Sequence, residues 1–314
     1  MALFNPDASK FNNLKSASKT VVITGGCSGI GLATAKLLSQ LNPNHNLVLI
    51  DLQSPPSTFS HSPSRLLVHT CNITSWKDQR AGFEAAYAKF GRIDAVFVNA
   101  GIAEYQDQFF TDDLDANGKL NEPDRRVLNI DMDAACDTTK LAIHYLRKNQ
   151  EGGQIAMTAS LAGYLASAGA PLYSAAKHAG IVGLMRALKQ ECAKVNVSVG
   201  VVAPAITVTP ILSSSNRDNS KTPEQHAEAM AGHGVPLNKP ESIALAVCWM
   251  FDQGMAANGA GIFIQGDKFV DLERGLAKSR EHWMSKDMLN MFKGGRNAPI
   301  FARLDSESPS KPKI

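Results

Sequence analysis

Tyr173 and Lys177 in "YSAAK" stand four residues apart, which on a helix places both side chains on one face, about 6 Å apart along the axis. Such a pair can move a proton. A tyrosine phenol ordinarily ionises near pH 10, and a neighbouring ammonium favours the phenolate, which makes the tyrosine a usable base closer to neutral pH. A packed ring beside a solvated lysine gives the same spacing by chance. The chemistry therefore requires a cofactor cradle elsewhere in the chain, and strands and helices that bring it to the pair.

The cradle is "TGGCSGIG" (24–31), which directly follows the apolar run "TVVIT" (20–24) and opens a helix. Gly25 suits a tight turn, Gly29 a close backbone approach to a pyrophosphate, and Gly31 close helix–strand packing. Ser28 and Ile30 complete the predicted cofactor contacts of this loop. The helix start offers free N–H groups and the positive end of a dipole to phosphate. Asp51 ends the next apolar run, 20 residues after Gly31. A carboxylate there bonds the ribose hydroxyls of NAD and repels the extra phosphate of NADP. With Ser28 rather than Arg or Lys in the loop, NAD is expected over NADP. At the ends of two further runs, Asn72 and Ile73 in "CNI" suit the adenine, and Asn99, Ala100 and Gly101 in "NAGI" allow backbone close to the cofactor.

These groups need a sheet. Apolar runs at 20–24, 46–50, 65–69, 93–99, 153–158, 195–202 and 259–265 alternate with helical patterns. Ser75 is placed to cap 76–90, and Pro123 and Pro240 stand at first-turn positions of 123–149 and 240–252. Continuous apolar strands are covered on both faces, so the pattern predicts an α/β fold: a Rossmann-type doubly wound parallel sheet of about seven strands in a single domain, 19–266. Residues 1–18 read as a flexible N-terminal arm and 205–238 as a substrate loop. Residues 267–314 read as an extension whose helix packs an apolar stripe of Met284, Met288, Met291 and Phe292, followed by a disordered tail.

A net charge of +3 over 314 residues gives no footprint for nucleic acid or an anionic membrane. The five cysteines lack CxxC spacing, and the histidines lack ligand spacing. Free thiols, no metal site and a reducing, cytoplasmic location are expected. Cys27, inside the glycine loop, is a candidate reactive thiol. "DLDANGKLNEPD" (113–124) imitates a calcium loop but ends in Asp124 where a bidentate Glu is needed, so a surface turn is expected.

TGxxxGIG, NAG, a serine 13 residues before the tyrosine and YxxxK, in this order, resemble the short-chain dehydrogenase/reductase family over 19–266. The resemblance implies a catalytic set of Ser160, Tyr173 and Lys177, completed by Asn129 in "VLNID". It implies that "PAITVT" (204–209) lies beside the nicotinamide through Ile206 and Thr209, although Ala205 stands where the family has Gly. Asn72 replaces the usual Asp. The implied activity is NAD(P)-dependent interconversion of a secondary alcohol and a ketone. The alternatives are an NADPH-dependent ketone reductase of secondary metabolism, or a non-redox biosynthetic or dinucleotide-sensing protein. A homodimer or tetramer built on the Tyr173 helix and its neighbour is also implied. "SLAG", "KHAGIVGL" and "ANGAGIFI" are similar to 15-hydroxyprostaglandin dehydrogenases and fungal relatives. Ala170 replaces the glutamine of the prostaglandin enzymes, which argues for a different small-molecule substrate.

Overall fold

The computed structural model describes residues 3–104, 106–214 and 221–296. Its centre is one sheet in the order β1-β9-β8-β7-β6-β5-β2-β3-β4. The strands are β1 (Leu3–Phe4), β2 (Thr20–Thr24), β3 (Asn46–Asp51), β4 (Leu66–Thr70), β5 (Ala95–Val98), β6 (Gly153–Thr158), β7 (Val197–Pro204), β8 (Gly261–Gln265) and β9 (Lys268–Asp271). The seven expected runs become β2 to β8, all parallel to one another. Two short antiparallel strands at one edge were not expected: β9 folds back on β8, and β1 pairs with β9.

Alternating side chains feed two cores. Val22, Val48 and Val96 join Phe83, Leu141, Ile181 and Met185 on one face. Val21, Ile23, Leu49 and Phe97 join Leu38, Val247 and Phe251 on the other. Helices thus cover both faces, as continuous apolar strands demand. Ser75 Oγ accepts the Asp78 N–H (3.2 Å), as expected of a cap. Pro123 lies outside the helix it was expected to open. The helix starts at Arg126, whose N–H donates to Asp124 Oδ1 (2.9 Å).

Both chain ends differ from expectation. In the N-terminal arm Phe11 and Leu14 are buried, and the Leu14 N–H donates to Asp252 Oδ1 (3.0 Å), so the segment packs on the helix Pro240–Gln253. Among the described residues, β9 is followed by three helices, Leu272–Lys278, Arg280–Met284 and Lys286–Arg296. Ser285, at φ 60°, cannot continue a helix and separates the last two. The break turns Leu289 inward, while Met288, Met291 and Phe292 are exposed, so the expected stripe is not the packed face. The tail expected to be disordered lies outside the described residues from 297 onward. The calcium-loop mimic is a turn, in which Asp115 Oδ1 accepts the N–H groups of Asn117 (2.8 Å) and Lys119 (3.0 Å).

Candidate active site

The strand order reverses between β2 and β5, and an open α/β sheet binds its ligands at the carboxyl ends of the strands beside such a point. A cleft of about 690 Å³ opens there. Gly25, Ser28, Gly29 and Ile30 form one side of it, and Asn99, Ala100 and Gly101 its floor. Ser160, Tyr173 and Lys177 stand opposite, with Ile206 and Thr209 on the segment after β7.

The floor is tied together by one side chain. Asn99 Nδ2 donates to the carbonyls of Thr24 (3.1 Å) and Gly25 (3.3 Å), and Asn99 Oδ1 accepts from Thr158 Oγ1 (3.0 Å). β2, β5 and β6 are thereby joined at their carboxyl ends. Gly25 has φ +63°, and a Cβ there would stand 3.0 Å from Ala100 Cα. A Cβ on Gly31 would meet the Gly25 carbonyl oxygen at 2.1 Å, so only glycine lets the helix Gly29–Leu41 start this close to its strand. No side chain caps that helix, whose first residues, Gly29 and Ile30, line the cleft. A glycine cradle with an uncapped helix start suits a dinucleotide pyrophosphate.

Asp51 stands outside the cleft lining, at the end of β3. Its Oδ2 accepts the Cys27 N–H (2.9 Å) and its Oδ1 the Gln53 N–H (3.1 Å), which places a carboxylate against the glycine loop with no cation paired to it among the described residues. Cys27 itself is buried, and burial, reinforced by Asp51, pushes its thiol up to about 12, so it is not a reactive nucleophile. Asn72 Oδ1 accepts the Thr74 N–H (3.1 Å) and hydroxyl (2.9 Å), and the Ile73 carbonyl accepts from buried Gln79 Nε2 (2.6 Å). Both residues follow the carboxyl end of β4 and are not among the residues that line the cleft.

Tyr173 and Lys177 sit on a helix that runs from 171 to 193 with a π-type segment, Ala176–Gly183. Lys177 Nζ lies 5.6 Å from the Tyr173 ring centre and donates to the Thr158 carbonyl (2.9 Å). Ser160 Oγ accepts the Ala162 N–H (3.2 Å), which leaves its hydrogen free to point into the cleft. Ala170 makes no side-chain cap at the start of the Tyr173 helix. Glu104, from the segment after β5, takes that place: its Oε2 accepts the Tyr173 N–H (2.9 Å). Burial pushes the Glu104 carboxyl up, against the Tyr173 and Leu172 N–H groups.

Asn129 is not brought to this group. It is exposed on its helix, whereas Asp131 is buried with Oδ2 3.0 Å from Lys177 Nζ. The reason is helical phase. The buried stripe runs through Val127, Asp131, Ala134, Thr138 and Leu141, and in the π-type segment Asn129–Ala134 two residues carry the chain about half a turn, which puts Asn129 on the opposite face. A carboxylate on a stripe otherwise of Val, Ala, Thr and Leu was the signal in the sequence. Gly101 serves the same residue, since a Cβ there would lie 2.8 Å from Asp131 Oδ2. Thr158 and Glu104 carried no comparable signal, because their partners are distant in the chain.

A glycine cradle at the reversal point of a parallel sheet, facing Ser, Tyr and a buried Lys, defines a Rossmann-type fold with a reaction cleft. Residues 19–220 match the short chain dehydrogenase family, and the chain belongs to this family of NAD(P)-binding oxidoreductases. It is 33% identical over 282 residues to the short-chain dehydrogenase/reductase prx4 of Penicillium rubens, covering 84% of this chain and 80% of that one. It is 28% identical over 294 residues to ATR7 of Stachybotrys chlorohalonatus, covering 87% and 85%. The ligand-free aldohexose dehydrogenase of Thermoplasma acidophilum shares the fold, with a TM-score of 0.67 at 20% identity over 82% of this chain and 95% of that one. No helix among the described residues is long and apolar enough to cross a membrane.

Proposed function

We propose that this protein is an NAD-dependent dehydrogenase that interconverts a secondary alcohol and a ketone. The observation that carries this is Tyr173, Lys177 and Ser160 on one side of a cleft whose other side is the glycine cradle. In the oxidative direction Tyr173 takes the hydroxyl proton as the carbonyl forms. Lys177 places its ammonium 5.6 Å from the Tyr173 ring centre, and Ser160 donates to the substrate oxygen and fixes it near the phenol. NAD supplies hydride acceptance. Gly29 and Ile30 would hold its pyrophosphate, Asp51 a ribose, Asn72 and Ile73 the adenine, and Ile206 and Thr209 the nicotinamide end. The uncompensated carboxylate of Asp51 supports NAD over NADP. The apolar wall of Leu212, Met230, Val235 and Pro236 supports an uncharged substrate.

Titrating the protein's fluorescence with NAD(H) and NADP(H) tests the cofactor, and a screen of apolar secondary alcohols tests the reaction. NAD(H) is expected to bind at least about tenfold more tightly, a difference of about 1.4 kcal/mol. The reverse preference points to an NADPH-dependent ketone reductase, and binding of neither to a non-redox role. Tyr173→Phe is expected to lower kcat about 10²- to 10⁴-fold while NADH binding stays within about threefold. Retained turnover in that variant rules out the mechanism.

A further inference from the structure

The steps above use Tyr173, Lys177 and Ser160 and leave unexplained a carboxylate in the driest part of the site. The Asp131 side chain is 0% exposed and that of Lys177 4%. An ammonium has three N–H groups. One of Lys177's meets the Thr158 carbonyl at 2.9 Å, one lies toward Asp131 Oδ2 at 3.0 Å, and the third remains for the cleft. Asp131 Oδ1 accepts the Ile102 N–H at 2.8 Å. Among the described residues no donor other than the ammonium reaches Oδ2. The carboxylate is seated on Gly101, where a side chain would displace it.

A buried ammonium without a counter-charge sheds its proton rather than stay ionised. Burial pushes Lys177 in that direction; Asp131 first, then Tyr173, more than reverse it, so the net direction is upward. Asp131 is pushed up by burial and drawn back by the ammonium and the Ile102 N–H. The other ionisable groups around Lys177 are otherwise engaged. Glu104 accepts the Tyr173 N–H, and His178, on the same helix, turns its Nδ1 to the Gly163 carbonyl (2.7 Å).

We propose that Asp131 is the counter-ion that keeps Lys177 an ammonium, and so a positioning residue for the Tyr173–Lys177 pair. The role rests on Tyr173 and Lys177 acting as proposed above, whereas the ion pair itself does not.

Asp131→Asn keeps the size of the side chain and an acceptor for the Ile102 N–H but removes the charge. With wild type, the alcohol-oxidation rate is expected to hold through the alkaline range, because Asp131 and Tyr173 push Lys177 upward. In D131N it is expected to fall as pH rises through a new alkaline limb displaced to lower pH, because desolvation then acts on Lys177 without its counter-charge. D131A is expected to regain rate on addition of formate, a carboxylate small enough for the vacated space. An alkaline limb unmoved in D131N, or a D131A rate indifferent to formate, overturns the proposal however far kcat falls.

The pair is read apart from turnover by thermal melting. D131N and K177M are each expected to lower Tm, and the double variant D131N/K177M to regain most of the loss, because no unpaired charge is then left buried. Additive losses overturn the pairing, and this measurement stands even if the protein oxidises no alcohol. Should D131N fail to fold, recovery of the fold in the double variant is the expected result.

Discussion

The two sides of the cleft are built on different physics. On the glycine-loop side nearly every position is set by backbone geometry or by a hydrogen bond: Asn99 ties three strands, Gly31 lies where a Cβ would strike the Gly25 carbonyl, and Asp51 holds the Cys27 N–H. The substrate side hangs on a few anchors. The Ala205 N–H donates to the Ile264 carbonyl (2.8 Å), the Val208 N–H to the Asn238 carbonyl (3.0 Å), and the Asn238 N–H to the Ile206 carbonyl (2.9 Å). Beyond them Leu212, Met230, Val235 and Pro236 present apolar surface, with Ile206 38% exposed. Directional bonds fix one arrangement to within tenths of an ångström. Apolar contact is non-directional and accepts many side chains of similar volume. One side can therefore serve a fixed cofactor while the other varies with substrate.

The contrast can be broken most directly at Gly31. Gly31→Ala sets a Cβ 2.1 Å from a backbone oxygen that no rotamer change can relieve. It is expected to cost about 3 kcal/mol of stability and to abolish NADH binding, read by melting and by titration. Normal binding in G31A means that the loop yields, and the rigid half is not rigid.

Acid gives a comparable effect from below the same half. His45 is buried just before β3; its Nδ1 accepts the Lys19 N–H (3.0 Å), and burial, then Lys19 and His61, lowers it to about 4. A chain that binds this proton at about 6.5 when unfolded, but only near 4 when folded, gains protons on unfolding between those values. Stability is expected to be flat above pH 6.5 and to fall by about 3 kcal/mol as pH drops from 6.5 to 4. His45→Asn, which keeps an acceptor for Lys19, is expected to flatten that part of a Tm–pH curve. An unchanged curve assigns the acid loss to other groups.

Asp51→Ala gives a smaller effect. It leaves the Cys27 N–H unpaired at about 1 kcal/mol and is expected to relax the NAD-to-NADP preference about tenfold, as measured by the ratio of the two dissociation constants. A preserved ratio shows that another group sets it. Met230→Ala is the mildest. Partly exposed on a wall of apolar contacts, it is expected to cost under about 1 kcal/mol and to raise KM for an apolar alcohol several-fold, with NADH binding unchanged. A change in NADH affinity would show that the two sides are coupled.

The helix around Asp131 shows where reading the chain stops. The "NID" stretch offers two polar candidates two residues apart, and similarity of pattern selects Asn129. Only the helical phase, fixed by Val127, Ala134 and Leu141 entering the core, shows that Asp131 faces Lys177. Glu104 is less legible still. Its bond to the Tyr173 N–H spans 69 residues, and nothing near it in the chain marks it as the cap of a distant helix. The ends are similar: Phe11 and Leu14 fill a groove against the 240–253 helix, a site that does not exist until the sheet has formed.

Composition and local pattern by themselves determined the seven parallel strands, the glycine cradle with Asp51 at its rim, and the Tyr–Lys pair four residues apart. Each of these depends on interactions within one strand, one turn or one helix face, and such short-range constraints leave a mark in the order of residues. The tertiary structure alone decided the antiparallel edge of β1 and β9, the exposed Met288, Met291 and Phe292, the Glu104 cap and the Asp131–Lys177 pair. These join segments far apart in the chain, and the burial that sets their energies belongs to neither segment until both are packed.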